Sequence, residues 1–482
     1  MIRPKDKPLI LRDEIHGDIA FAGAVRRVID HECFQRLRYI RQLGLAEYVF
    51  PCATHSRFQH SLGAAFLAGE YFDSMLNHWL DFPFQFDEKA EGTTFLSRET
   101  IQCVKAVASD PTSKTYWRQV VELAGLLHDI GHGPWSHTFE TLDLAQKFDE
   151  IICQLEGSIG HYFDDLNKHH KKFRHEEISV IYIFTILKDL EQQQVIKSTS
   201  HYFLPVAMLV NRSMADGKFK QEMERDLKDV LTNLAISGGV NFHKLLKPII
   251  SGPFDVDRID YIQRDGRNCG VHIGGIEWRR IVNKLIPCLA HHPNQNHEPT
   301  DVVLLSNIKN QHVLDDFIFS LFQMYAQVYL HPKIVGLEEI IKRVLNKKLG
   351  ERKPEVTFRL HQSFTDEQFR RWLREECKIE EINRILLRQP DSTFQVASYP
   401  DDSGREQDLA KNRFSRVETQ DRPMMKDKIG VFLFSTFKEK DHEDHFLKSW
   451  AQISPIAHQF YLINYSPKIW IRSNVFTVDA RD

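Results

Sequence analysis

The sequence is short of what marks an exported, membrane-spanning or polyanion-binding chain. Its seven cysteines (Cys33, Cys52, Cys103, Cys153, Cys269, Cys288 and Cys377) are scattered through 482 residues, odd in number, with no CxxC pair. That argues against a disulfide scaffold or a cysteine-built zinc module and fits reduced thiols. No apolar run approaches the roughly 20 residues that cross a bilayer. The N-terminal MIRPKDKPLILRDEIHGDI lacks an apolar stretch ending in a small-residue cleavage site. Neither sign of charge dominates: the formal net charge is -3, which gives no global case for a nucleic-acid or anionic-membrane partner. Internal repeats are also lacking. A cytoplasmic protein with no membrane partner is the expectation.

The hydrophobic share of 42% and charged share of 27% are those of an ordinary globular chain long enough for two or three folding units. From Glu32 to about Val344 apolar residues recur three and four apart, as in LGAAFLAGEYFDSMLNHWL, ISVIYIFTIL and VLDDFIFSLFQMYAQVYL. Past KKLGERKPEV the texture changes to one amphipathic helix, DEQFRRWLREE, then a polar stretch from Gln389 to Lys428. The strand-like runs IGVFLFS, QFYLINYS and KIWIRS follow. The pattern predicts a mainly α fold: a helical core over 1–345 and a smaller α+β C-terminal lobe over 346–482. The histidines of AHHPNQNHEPTD match no metal spacing and read as a solvated loop.

Chemistry gathers in LLHDIGHGPWSH, where three histidines and an aspartate fall within ten residues at the end of an apolar helical run. Neighbours on a helix point about 100° apart, so His128 and Asp129 converge on one ion only if a third element faces them. His60 in THSRFQHSLGAAF and Asp257 in FDVDRIDYIQRD are candidates to complete the set. Two imidazoles and two carboxylates suit one divalent transition metal (manganese, iron, nickel or zinc), with open positions for water or substrate. Arg57 lies one helical turn before His60, and Arg258 follows Asp257. A cation beside each distal ligand suits phosphate oxygens. Taken alone, a buried HD pair is more often a hydrogen-bonded core feature, and the histidines of the GHGPW turn could cap carbonyls.

FQRLRYIRQLGLAEYVFPCATHSRFQHSLGAAFLAGEY, LLHDIGHGPWSHTFE, RHEE and DVDRIDYIQRD resemble the HD-domain phosphohydrolases, and among them the deoxynucleoside triphosphate triphosphohydrolases. The likeness runs from about Asp13 to Gly270, thins around MYAQVYLHPKIV, and is not carried past about Gly350. It implies His60, His128, Asp129 and Asp257 as metal ligands, and His137 as the acid that protonates the leaving oxygen. It also implies His132, His175, Glu176 and Glu140 as the set that tunes that acid, with Glu140 standing where the human member has aspartate.

For the substrate, a dNTP accompanied by magnesium, the resemblance implies contacts from Arg57, Arg258, Gln42, Leu43, Tyr261, Asp265, Tyr329 and His331. Leu43 and Tyr329 would crowd the sugar C2′. Leu321 replaces an arginine that reaches the terminal phosphate in the human enzyme. Asp30, Gln35 and Arg38 match an activator site for a dNTP or GTP, with Leu9 in place of a lysine. The resemblance further implies a homo-oligomer, a dimer or tetramer. Two other readings stand beside it. One is an HD phosphodiesterase or pyrophosphohydrolase for (p)ppGpp or a cyclic nucleotide, with His132, His137 and His175 on a second metal. The other is a nucleotide-sensing or single-stranded nucleic-acid-binding module using basic clusters such as KNRFSR.

Overall fold

The computed structural model describes residues 7–80, 89–90, 93–169, 171–211, 213–214, 217–273, 275–291, 301–350 and 353–386. Beyond these it describes the strands at 395–399, 431–439, 442–449 and 468–472, with Ser454. The fold is mainly α, a helical core with a smaller α+β part. Among the described residues no helix is long and apolar enough to cross a membrane.

Two helices form the heart of the core, Arg57–Leu80 and Pro111–Leu127. Their facing positions are small, and a Cβ placed on Gly125 would come within 2.9 Å of the Ala64 carbonyl oxygen. That closeness brings the two ends bearing His60 and His128 together. Asp110 starts the second helix by accepting the Thr112 amide at 3.0 Å, with Pro111 at the first turn. The core closes over Trp79 and Trp117, whose indole N–H groups reach the Pro287 and Ser237 carbonyls at 2.7 and 2.9 Å.

A third helix, Val256–Cys269, packs across Arg57–Leu80 and carries the last expected ligand. Asp255 caps its start through the Arg258 amide at 2.8 Å, and Gly270 ends it in the left-handed conformation that glycine adopts freely.

Strands Ile286–His291 and Asp301–Asn307 pair antiparallel, and Val431–Glu439 joins the latter in parallel, with Phe432 opposite Leu305. His442–Ser449 adds the outer edge, so C-terminal strands extend a sheet that begins in the core. The expected strand runs IGVFLFS and KIWIRS correspond to Val431–Glu439 and Lys468–Arg472. QFYLINYS, KNRFSR and residues 292–300 of the histidine-rich segment lie outside the described residues. The amphipathic DEQFRRWLREE forms the helix Asp366–Glu375, behind a capping box at Thr365.

Candidate active site

His60 lies in the first turn of Arg57–Leu80, and the His128–Asp129 pair just past the end of Pro111–Leu127. Asp257 lies in the first turn of Val256–Cys269. His60 Nε2 is 3.3 Å from His128 Nε2 and 3.0 Å from Asp257 Oδ1, and both imidazole Nε2 atoms lie 3.6 Å from Asp129 Oδ2. The four donor atoms are all within 4.8 Å of one another. His128 Nδ1 donates to the Gly125 carbonyl at 2.8 Å and His60 Nδ1 to Asp260 Oδ2 at 2.9 Å. Both Nε2 atoms therefore face the carboxylates, the edge through which a ligating histidine would bind once a cation takes the place of its proton. Burial opposes a charge on His60, yet its bonds to Asp257 and Asp260 raise it to about 10. The carboxylates thus draw positive charge into the quartet, and the donor set fits a divalent cation.

Around the quartet lie groups that the sequence did not single out. Asp260 is fully buried; besides His60 it takes His16 Nε2 at 2.7 Å and both arms of Arg264 at 2.9 Å, and Arg264 reaches Asp13 at 3.0 Å. Gly63 makes room for this carboxylate, since a Cβ there would lie 1.9 Å from Asp260 Oδ1. Arg57 donates Nε to Ser136 Oγ at 2.9 Å and pairs through Nη1 with Asp129. Burial works against the charge of Asp129, but the Arg57 guanidinium and His128 hold its carboxyl well below the usual range.

A second group of imidazoles lies beside the quartet. Glu140 Oε1 is 3.0 Å from His137 Nδ1, 2.9 Å from His175 Nδ1 and 3.5 Å from His132 Nδ1. His132 Nε2 is 3.4 Å from Asp129 Oδ1, which links the two groups. Burial, with Arg57 and His175 close by, keeps His132 neutral, its pKa well below the ordinary value. Burial works against the charge of His175 too, but the Glu140 carboxylate on its Nδ1 lifts it to about 9. His132 is buried, whereas the His137 side chain is 52% exposed. The His132 and His175 rings stack at 3.9 Å and 14°. The donor atoms of His132, His137, Glu140 and His175 all lie within 4.8 Å of one another, so this second group could pass protons through Glu140 or hold a cation of its own.

Both groups reach one cavity of about 550 Å³. Asp129, Asp257, His132, His137 and His175 form one end, and Gln42, Leu43, Arg57, Arg258, Tyr261, Asp265 and Tyr329 contribute to the remaining wall. Tyr325–Tyr329 is a π-helical turn, the wide kind often found at functional sites, and it aims Tyr325, Val328 and Tyr329 into the space. Asp265 accepts from Tyr329 OH at 2.8 Å and is bound to His55 Nε2 at 2.7 Å. Arg57 and Arg258 line the cavity but are already engaged: Arg258 bonds to the Gly252 carbonyl and lies 3.4 Å from Asp255. His331 turns to the Phe50 ring and the start of the Pro332–Gly350 helix, and Glu176 reaches no closer than 3.5 Å to His175 Nδ1.

Comparison with known proteins agrees with this geometry. Residues 57–264 match the HD domain. The chain carries an HD domain. It is 28% identical over 261 residues to the deoxynucleoside triphosphate triphosphohydrolase SAMHD1 homolog of Dictyostelium discoideum, covering 54% of this chain and 36% of that one. It is 28% identical over 289 residues to the human deoxynucleoside triphosphate triphosphohydrolase SAMHD1, covering 58% of this chain and 36% of that one. The chain thus spans about a third of the length of these relatives. A solved structure of a hypothetical Aquifex aeolicus protein shares the fold at 22% identity, with a TM-score of 0.60 over 96% of this chain and 95% of that one. The quartet supplies, within the matched HD domain, a donor set that could hold one divalent cation.

The expected activator residues of the HD protein have local partners. Gln35 Nε2 donates to the Ile29 carbonyl at 2.6 Å, and Arg38 Nε to Gln35 Oε1 at 2.6 Å, with its guanidinium 3.6 Å above the Phe58 ring. Asp30 is exposed at the end of the Gly23–Ile29 helix. Asp260 could have been suspected from sequence, because Asp260 and Arg264 have the i,i+4 spacing of a helical ion pair. Orienting partners of metal-bound histidines typically govern affinity by about 10- to 100-fold, so Asp260→Asn is expected to weaken metal binding by that factor in a direct titration. Unchanged affinity would remove Asp260 from the site.

Proposed function

We propose that this protein hydrolyses deoxynucleoside triphosphates to deoxynucleoside and inorganic triphosphate. The observation that carries the reading is the sharing of one cavity by the quartet's two carboxylates, Asp129 and Asp257, the open His137 ring and a Leu43–Tyr261–Tyr329 wall. The names of the Dictyostelium and human relatives support it. A divalent cation held by His60, His128, Asp129 and Asp257 would supply a Lewis acid at the α-phosphoryl oxygen and lower the pKa of attacking water.

The chain's own residues do the rest. Water attacks the α-phosphorus, the bond to the 5′ oxygen breaks, and His137 Nε2 delivers the proton that the departing alkoxide needs. Glu140, bonded to His137 Nδ1, stabilises the protonated ring and fixes its direction. His175 shares that carboxylate, and neutral His132 connects it to Asp129.

Asp265 and Gln42 would meet the sugar 3′-hydroxyl, while Leu43 and Tyr329 would close the space beside C2′. A ribose would be refused by contact and by desolvation of its extra hydroxyl. Leu43→Ala is expected to lower the preference for dGTP over GTP about tenfold, the size of effect a few methylenes bring in a tight pocket. An unaltered ratio of kcat/KM would take Leu43 out of the sugar wall. With Gln35 and Arg38 satisfying each other, nucleotide activation is not part of the proposal. The dinuclear phosphodiesterase reading would place a second cation on His132, His137, Glu140 and His175, and metal counted per chain separates the two readings.

The test is product analysis with each dNTP, alone and in pairs, with manganese or magnesium. Inorganic triphosphate with free deoxynucleoside is the expected result. Release of orthophosphate or pyrophosphate, or turnover of (p)ppGpp in place of dNTP, would overturn the reading.

A further inference from the structure

The segment from Glu355 to Glu375 lies beyond the residues matched to the HD domain, yet it runs directly behind the HDIGHGPWSH loop. Phe364 and Phe369 pack with Trp135 and Phe139 in one apolar cluster, the Phe369 ring 5.1 Å from Trp135 and 5.2 Å from Phe139. Asp366 opens the last helix, but its carboxylate does not serve that helix, because Thr365 Oγ1 already takes the Gln368 amide. Both oxygens leave the helix. Oδ1 accepts the Trp135 amide at 2.8 Å and Oδ2 the Arg41 amide at 2.9 Å.

These two amides come from the two backbone segments that form the floor of the cavity. Trp135 and Ser136 stand at φ 56° and 55°, left-handed values that residues with a side chain keep only when their surroundings hold them. Ser136 Oγ donates to the Arg41 carbonyl at 2.7 Å and accepts from Arg57 Nε, the guanidinium that pairs with Asp129. His137 follows directly. Burial pushes the Asp366 carboxyl up to about 6 in spite of its two amide donors and the nearby Arg41 charge, so an acid is kept here against its own solvation.

We propose that Asp366 is a positioning residue for the HD site, clamping the Trp135 and Arg41 backbones together and so fixing Ser136, the Arg57–Asp129 arm and the direction of His137. Its effect on turnover rests on the hydrolase reading; its effect on the loop does not. Asp366→Asn keeps the shape but must aim an NH2 at one of the two amides.

In the manganese-loaded full chain, this variant is expected to speed hydrogen exchange of the Trp135 and Arg41 amides about tenfold or more. With dGTP as probe it should lower kcat by about tenfold or more, with KM within about threefold and metal per chain unchanged, since small misplacements cost chemistry more than binding. Phe369→Leu, which trims the ring packing and leaves the carboxylate, is expected to lower Tm with kcat near that of the parent. Should the Asn variant not fold, Asp366→Glu carries the same expectation. Exchange at the parental rate, or losses of kcat that follow Tm equally in the Asp366 and Phe369 variants, would overturn the proposal. If the parent protein hydrolyses none of the dNTPs, the hydrolase reading fails, and the exchange rates alone decide the clamp.

Discussion

A His128→Ala protein is expected to bind less than about a tenth of the metal carried by the parent and to lose turnover by about a thousandfold or more, since one of four ligands and the Lewis acid go together. His128 is the informative choice because the carboxylates it faces keep other partners, Asp129 with Arg57 and Asp257 with His60 at 3.0 Å, and its other ring nitrogen bonds to the Gly125 carbonyl at the end of a helix. Asp129 is a poorer choice. Its removal would strand the buried Arg57 guanidinium, and breaking such a pair costs about 3–5 kcal/mol by itself. Asp129→Ala should therefore lose both stability and metal, whereas His128→Ala loses metal with little change in the Tm of the chelated protein. Elemental analysis per chain, with Tm before and after chelation, checks this. The parent should fall in Tm when chelated and regain activity with manganese, and the variant should do neither. A fully metallated His128→Ala protein would mean that the ion sits elsewhere.

Much of this site could be read from the sequence because helices convert spacing into direction. His60 one turn after Arg57, the adjacent His128 and Asp129, and Asp257, Tyr261 and Asp265 at steps of four each needed only the helix to exist. What the sequence did not show was which partner a charged group would choose. Arg57 and Arg258 look free in a sequence. In the folded chain they are bonded to Asp129 and Ser136, and to Gly252 and Asp255, so a phosphate must share or displace those bonds. Asp260 is one carboxylate among several in DVDRIDYIQRD; its spacing to Arg264 marks an ion pair on a helix but does not say that the pair will be buried under His60. Asp366 reads as the first residue of a surface amphipathic helix, because its true partners are amides 231 and 325 residues away. Pairing of Val431–Glu439 with Asp301–Asn307 is long-range in the same way: β-propensity marks a strand but does not name its neighbour.

The role of His137 separates most sharply from a structural one through the leaving group. A deoxynucleoside 5′-alkoxide is a poor leaving group and needs its proton during bond cleavage, whereas a p-nitrophenolate does not. His137→Ala is expected to reduce dNTP turnover by about 10²- to 10⁴-fold, the usual worth of a positioned general acid, with metal per chain intact. On a p-nitrophenyl phosphate ester the same variant should retain most of the parental rate, because the quartet and the relay carboxylate remain. The geometry makes this separation realistic: His137 approaches Glu140 and the cavity but none of the four ligands, and its ring is half exposed while His132 beside it is enclosed. Equal losses on both esters would show that His137 orders the site and does not donate a proton. Loss of metal from the variant would make it a ligand, and the relay would then have to deliver its proton through His175.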